Sequence, residues 1–184
     1  MSLEVVVGPM FSGKSTYALS YIRRQQAIGK QVLVMKPNID NRYSTDDVLV
    51  THNNEQTSCM LWKTTEILNP VIPEVRHADC IVLEEAQFFR GLFNFVRYVM
   101  ITYSKDVVIV GLDGDASQRS FGEVIDCIPW ATTVTKLCAL CKKCKDGTLA
   151  PFTRRMNSDS QQQIDVGGSE KYESVCLKHL TDIQ

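Results

Sequence analysis

Several absences narrow this sequence before any motif is read. No apolar run is long enough to cross a bilayer, and no charged-then-apolar leader with a cleavage site stands ahead of the first strand-like segment. The expected setting is the cytoplasm, with no membrane partner. An excess of one charge is also lacking: 20 Lys and Arg stand against 21 Asp and Glu, a formal net charge of −1. Without a global basic field, nucleic acid is not an expected partner. Internal repeats and low-complexity tracts are missing, apart from the short polar run Gln161-Gln162-Gln163. Seven cysteines, an odd count without an export signal, argue for thiols or metal ligands in a reducing compartment rather than a disulfide framework. What remains is 184 residues, 44% of them hydrophobic, enough for one main domain and a small appendage.

The apolar run Leu3-Glu4-Val5-Val6-Val7 leads into Gly8-Pro9-Met10-Phe11-Ser12-Gly13-Lys14-Ser15, and a helix-compatible stretch follows. This is G-x-x-x-x-G-K-[ST] in a strand–loop–helix setting. Backbone N–H groups of such a turn converge on phosphate oxygens, and the helix behind it aims its positive end at them. Lys14 is placed to neutralise the β- and γ-phosphates, and the Ser15 hydroxyl to ligate Mg²⁺. A nucleoside triphosphate is the expected ligand.

Farther along, apolar strands alternate with helices. Residues 14–28 read as a helix closed by Gly29, with Tyr17, Ala18, Tyr21 and Ile22 at helical spacing. Strands are expected at 31–35, 48–50, 59–62, 80–83, 107–112 and 132–137, and helices at 88–103 and 120–128, the second ended by Pro129. Residues 38–47 are polar with a turn signal and read as a mobile loop. Such interleaving implies an α/β fold, a parallel sheet covered by helices on both faces. From Cys138 the segments become short and rich in Cys, Lys and Gly. The expected division is a first domain over 1–137 and a small second domain over 138–184.

Ile81-Val82-Leu83-Glu84-Glu85 is an apolar strand ending in acids, expected beside the strand that precedes the phosphate loop. There Glu84 would hold Mg²⁺ or its water shell, and Glu85 would be the general base toward an alcohol. Asp is more usual where Glu84 stands, so the longer side chain must use a different rotamer. A plainer reading makes the pair a solvated cap on the following helix.

Cys141-x-x-Cys144 and Cys176-x-x-His179 form two knuckles whose spacing suits one tetrahedral Cys₃His zinc site. Lys142, Lys143 and Lys145 around the first knuckle do not suit an apolar core. With four protein ligands the zinc would be structural. Cys59, Cys80, Cys127 and Cys138 read as small buried hydrophobes, and His52 and His77 as surface residues. The long stretch between the knuckles runs through Thr153-Arg154-Arg155 and Asp165-Val166-Gly167-Gly168 to Tyr172. Pinned by metal at both ends, it reads as a functional loop.

Together these segments resemble the type II, cytosolic-type, thymidine kinases. The resemblance runs through Gly8 to Ser15, Asp40-x-Arg42-Tyr43, Thr51-His52, Glu85-x-Gln87-Phe88-Phe89 and Leu112-Asp113-Gly114. It continues through Phe121-Gly122, both knuckles, and Val166-Gly167-Gly168 to Tyr172-x-x-Val175-Cys176. It implies a RecA-like P-loop sheet with a zinc-ribbon-like unit carrying a lasso loop. It implies phosphorylation of the 5′-hydroxyl of thymidine or deoxyuridine by ATP-Mg, in pyrimidine salvage. Glu85 matches the base. Gly8, Pro9, Met10, Phe11, Ser12, Gly13, Lys14, Ser15, Asp40, Arg42, Glu84 and Gln87 match the ATP side, with Ser15 and Glu84 on Mg²⁺. Met10, Leu112, Ala116, Phe121, Thr153, Gln163, Ile164, Asp165, Val166, Gly167 and Tyr172 match the nucleoside side. A homotetramer and feedback inhibition by thymidine triphosphate are further implications. Two departures stand out: Glu84 replaces Asp, and Ala116 stands where an aromatic is common beside the base.

Other functions use some of the same residues. Glu84-Glu85-Ala86-Gln87 suits the acid box of a motor or helicase-like ATPase, but such proteins need two lobes and a basic track. The Lys-rich knuckle with Arg154-Arg155 suits a nucleic-acid contact, and Glu84 with Ala116 suits an inactive nucleotide-binding subunit.

Overall fold

The computed structural model describes residues 1–38, 48–50, 56–156 and 162–181. Asp40, Arg42, Tyr43, Thr51, His52 and all but the first residue of the expected 38–47 loop lie outside the described residues. In chain order the first strands are β1 (Leu3–Val7), β2 (Val32–Asn38), β3 (Val48–Val50), β4 (Gln56–Ser58), β5 (Met60–Lys63), β6 (Cys80–Leu83), β7 (Asp106–Gly111) and β8 (Thr133–Lys136). Six of them form one all-parallel sheet in the order β5-β2-β6-β7-β1-β8, while β3 and β4 pair as a separate antiparallel hairpin.

The central strands are buried on both faces, which is why β6 and residues 107–111 of β7 read as continuous apolar runs and β1 is apolar but for Glu4. Along β1, Leu3, Val5 and Val7 face one layer and Val6 the other, as the two-residue period of a strand requires. On the first face they meet Leu92, Phe95, Val96 and Val99 of α3 (Leu92–Tyr103). On the second, Val6, Val34, Val82 and Val108 meet Ala18, Leu19 and Ile22 of α1 (Lys14–Ala27). Helices on both faces are as expected. A short α2 (Pro73–His77) lies between β5 and β6 in the chain, with His77 exposed.

Beyond β8 the layers are small. β9 (Ala139–Leu140) pairs with β10 (Leu149–Ala150), and β11 (Phe152–Arg155) pairs with β12 (Tyr172–Val175), both antiparallel. A final α4 (Leu177–Thr181) follows. Their core is a separate cluster of Ala139, Cys141, Ala150, Val175 and Cys176, against which Phe11, Cys144, Phe152 and Leu180 pack.

Three expectations are corrected. The strand carrying Glu84 and Glu85 is not beside β1: β7 lies between them. The acids still reach the phosphate loop, because the ends of all three strands open on the same edge. The helix expected over 88–103 begins at Leu92. Residues Ala86–Phe88 form a 3₁₀ turn, Phe89 is extended, and Gly91 turns the chain at φ +71. The α3 N-terminus is capped not by Glu84 or Glu85 but by Glu123, whose carboxylate accepts the N–H groups of Gly91 and Phe93 at 3.0 and 2.9 Å. Finally, 120–128 is not an α-helix. A 3₁₀ helix runs over Ile125–Trp130 with Pro129 inside it, whose ring-fixed φ suits that tighter coil. Cys59, Cys80 and Cys127 are buried as expected, and Cys138 is half-buried.

Candidate active site

The phosphate loop leaves β1 through a tight passage. Gly8 sits at φ +156, and a Cβ there would lie 2.4 Å from the Leu137 carbonyl oxygen, so only glycine fits. The loop then closes on itself. Ser12 Oγ donates to the Pro9 carbonyl at 2.8 Å, and so does the buried Lys14 ammonium at 2.7 Å. Burial holds the Lys14 ammonium below its usual pKa, against the opposing pull of Glu85, Glu84 and Asp113. A phosphate would offer Lys14 a stronger acceptor than a carbonyl.

Glu84 lies behind the loop, 2% exposed. Its Oε1 accepts the Ser15 hydroxyl at 2.5 Å, while its buried Oε2 has no hydrogen-bond partner among the described residues. The longer side chain therefore does reach the serine expected to share its metal. Burial pushes this carboxyl up to about 7, helped by the Glu85 charge and opposed by Ser15, Lys14 and Lys36. An orphaned oxygen beside a hydroxyl, close to where phosphates would lie, fits a hard divalent cation.

Glu85 sits at the end of β6 in a left-handed conformation, φ +51, that turns its side chain into the cleft. Gln87, expected on the ATP side, commits its buried amide to holding this carboxylate. Its Nε2 donates to Glu85 Oε2 at 2.7 Å, and its Oε1 accepts the Leu112 N–H at 3.0 Å. Gly122, φ +61, allows the chain to pass here: a Cβ would lie 2.2 Å from the Gln87 carbonyl oxygen.

A cleft of about 910 Å³ runs from this loop to the second unit. It is lined by Met10 through Ser15, Glu85 and Gln87 on one side and by Leu112, Ala116 and Phe121 beyond. Thr153, Gln163 through Gly167 and Tyr172 close the far wall, so the two predicted groups share one cavity. Gly8, Pro9 and Glu84 are not on its surface. Phe88 meets Phe121 edge to face at 5.1 Å and adds to the apolar side.

The far wall is held by polar contacts. The Met10 N–H donates to Thr153 Oγ1 at 2.9 Å, tying the phosphate loop to β11. Gln163 Nε2 donates to Asp115 Oδ2 at 2.8 Å, and Tyr172 OH to the Asp165 carbonyl at 2.5 Å. Lys171 bonds Asp165 Oδ1 at 2.6 Å, and Arg155 reaches the Gln162 carbonyl at 2.8 Å. Arg154 pairs at 2.6 Å with buried Glu173 and donates to the His179 carbonyl. These bonds turn both guanidiniums into the fold, where a nucleic-acid contact would need them outward.

Cys141, Cys144, Cys176 and His179 converge, their ligand atoms all within 4.8 Å of one another. His179 Nδ1 lies 3.5, 3.4 and 3.4 Å from the three sulfurs, and Cys144 Sγ lies 3.8 Å from Cys176 Sγ. A tetrahedral zinc with its usual bond lengths has edges of about 3.8 Å between sulfurs and roughly 3.5 Å from sulfur to nitrogen. The match is close, and the sulfurs are too far apart for a disulfide. Burial raises the Cys141 thiol, but the N–H groups of Cys144, Cys176 and Lys143 outweigh it and bring it to about 6. That favours the thiolate a metal needs at Cys141, whereas burial and the neighbouring Cys141 and Cys176 sulfurs push the Cys144 thiol up to about 11.

Sequence reasoning missed Gln87 as the positioner of Glu85, Asp115 as the anchor of Gln163, and Lys142, whose ammonium stands 4.3 Å over the Phe11 ring. A buried glutamine two residues from an acid was the available signal for the first. The other two join residues more than 40 apart and had none.

The family model described as thymidine kinase matches residues 1–180. Thymidine kinase a of Arabidopsis thaliana is 40% identical over 184 aligned residues, covering 97% of this chain and 74% of that protein. The thymidine kinase of Raccoon poxvirus is 35% identical, covering 96% and 94%. The cytosolic thymidine kinase of Cricetulus griseus is 34% identical, covering 95% and 70%. With a phosphate loop, a held carboxylate and a family match over nearly its whole length, the chain belongs to the thymidine kinase family.

Proposed function

We propose that this protein transfers the γ-phosphoryl group of ATP to the 5′-hydroxyl of thymidine, and of deoxyuridine, forming the nucleoside monophosphate. The observation that carries the reading is the Glu85 carboxylate, fixed by Gln87 in a cleft whose two walls are the phosphate loop and the lasso. ATP lies with its phosphates on Gly8 through Ser15, and Lys14 exchanges the Pro9 carbonyl for a phosphate oxygen. Asp40 and Arg42, which lie outside the described residues, would add to this side as the resemblance implies. The nucleoside lies between Met10, Leu112, Ala116 and Phe121 on one side and Thr153, main-chain groups of Gln163 through Gly167, and Tyr172 on the other. Its 5′-hydroxyl faces Glu85, which accepts the proton as the oxygen attacks phosphorus, a contribution of about 10²–10⁴ in rate. The loose transition state asks little else but alignment and charge neutralisation. The lasso excludes water, so transfer to alcohol outruns hydrolysis.

Ser15 and Glu84 would hold Mg²⁺, which when bound spreads the charge of the β- and γ-phosphates. Cys141, Cys144, Cys176 and His179 would hold a structural zinc that fixes the ends of the lasso. Division into a P-loop domain over 1–137 and a zinc-bearing domain over 138–184, a RecA-like core, a homotetramer, a cytoplasmic setting and inhibition by thymidine triphosphate belong to the same proposal. A coupled assay of ADP release across the deoxynucleosides tests it, with thymidine and deoxyuridine expected to be the substrates. Glu85→Gln should lower turnover at least about 100-fold while binding of a non-hydrolysable ATP analogue persists. Near-normal turnover in that variant would remove Glu85 from its role.

A further inference from the structure

We propose that Lys142, carried on the first metal knuckle, is a ligand of the terminal phosphate of the donor nucleotide. The proposal deepens the kinase reading above and rests on it. Phe11, the fourth residue of the phosphate loop, holds a left-handed backbone, φ +66, unusual for a bulky side chain and kept only where the surroundings impose it. Its ring is held by the small core of Ala139, Cys141, Val175 and their neighbours. Over the ring stands the Lys142 ammonium, 4.3 Å from the centroid.

The lysine's surroundings point to a ligand. Its neighbour Lys143 pairs with Glu173 at 3.6 Å, but among the described residues no carboxylate pairs with Lys142. It lines the same cleft as Ser12, Gly13 and Lys14. A cation–π contact at an open site is weaker than a charge-assisted bond to phosphate, so an arriving triphosphate would draw the ammonium off the ring. Position selects which phosphate. The Lys142 N–H donates to the Ser174 carbonyl at 3.0 Å, on the strand that begins at Tyr172, so the lysine belongs to the acceptor wall. The phosphate presented to that wall is the one being transferred. Lys14 would then neutralise it from the helix side and Lys142 from the acceptor side.

The test compares Lys142→Gln and Lys142→Arg with the full-length wild type by steady-state kinetics, by binding of ADP and of a non-hydrolysable ATP analogue, and by thermal unfolding. Loss of one charge-assisted phosphate bond should lower kcat/KM for ATP about tenfold or more in Lys142→Gln, and analogue affinity with it. ADP affinity, the KM for thymidine and the unfolding temperature should hold, and Lys142→Arg should recover most of the loss. Unchanged ATP kinetics in Lys142→Gln would overturn the proposal. So would an equal loss of ADP and analogue affinity, or an arginine variant as impaired as the glutamine one, which marks a packing role. A wild type that binds the analogue but never phosphorylates thymidine would instead sink the kinase reading. The ADP-against-analogue contrast would still decide whether Lys142 meets a terminal phosphate.

Discussion

The two walls of the cleft are built in opposite ways. The phosphate wall stands on a six-stranded sheet whose central strands are buried on both faces, so the backbone of residues 8–15 is placed by packing. The lasso wall stands on two two-stranded sheets and a cluster of five buried residues. Its shape depends on a few side-chain bonds and on the cluster of Cys141, Cys144, Cys176 and His179, which could hold a metal. A core resists local change and fails all at once, whereas a polar clip can be loosened one bond at a time. On the proposed reading, donor chemistry rests mainly on the rigid half, and recognition of the acceptor mainly on the adjustable half.

The most damaging way to probe the contrast is through the core. Phe95 is fully buried between α3 and the sheet, so Phe95→Ala should cost about 3–5 kcal/mol of stability. It should weaken ATP and thymidine binding together, because the phosphate wall is built on that sheet and the Met10–Thr153 bond ties the lasso wall to it. Denaturant unfolding alongside both affinities would show it; selective loss of thymidine binding would contradict the hierarchy.

The rigid half is also the half that could be read in the residues. Strands such as Cys80–Leu83 and Asp106–Gly111 announce themselves by continuous apolar composition, and the glycine-lysine loop by its spacing. What escaped reading was set by contacts distant in sequence. The start of α3 is fixed by Glu123, 32 positions from Gly91, and the order of strands by which crossovers pack, with β7 between β6 and β1. In the lasso wall, spacing gave the four residues that converge into a possible metal site but not the bonds among side chains. No local pattern couples Gln163 to Asp115 or Lys142 to Phe11.

Removing one of the four proposed zinc ligands should separate the walls. Cys144→Ser breaks the tetrahedral set while leaving the large sheet intact. Thymidine affinity should fall at least about tenfold, the scale on which even outer partners of a metal site matter. ATP-analogue affinity should fall less, by the part that Phe11 and Lys142 contribute. Calorimetric titration of each ligand, with zinc content measured in parallel, decides this, and equal losses would undo the division of labour.

Gln87 tests the rigid half without disturbing the fold grossly. Gln87→Met keeps the volume but leaves Glu85 without its donor and the Leu112 N–H without its acceptor. A misplaced base should lower kcat about tenfold or more while KM for both substrates changes little. A pure KM effect would return Gln87 to the ATP-binding role expected from sequence.

The smallest effect belongs to the Asp115–Gln163 clip. Burial raises the Asp115 carboxyl, but the Arg119 N–H, the Gln163 amide and the Ser117 N–H outweigh it and hold its pKa below the usual carboxylate range. A carboxyl lowered in the folded state adds stability that is complete above its unfolded value and fades as pH falls through the folded one. At neutral pH the charge is therefore in place and the Gln163 end of the lasso is held. Asp115→Asn should cost about 0.5–1.5 kcal/mol there, the net worth of an ordinary hydrogen bond, and raise the KM for thymidine but not for ATP. Thermal melts of wild type and variant should converge as pH drops below the folded value. A gap that persists in acid would mean that the stability Asp115 adds does not come from its charge, and an unchanged KM for thymidine would mean that it holds only its own turn, through Ser117 and Arg119, with the adjustable wall anchored elsewhere.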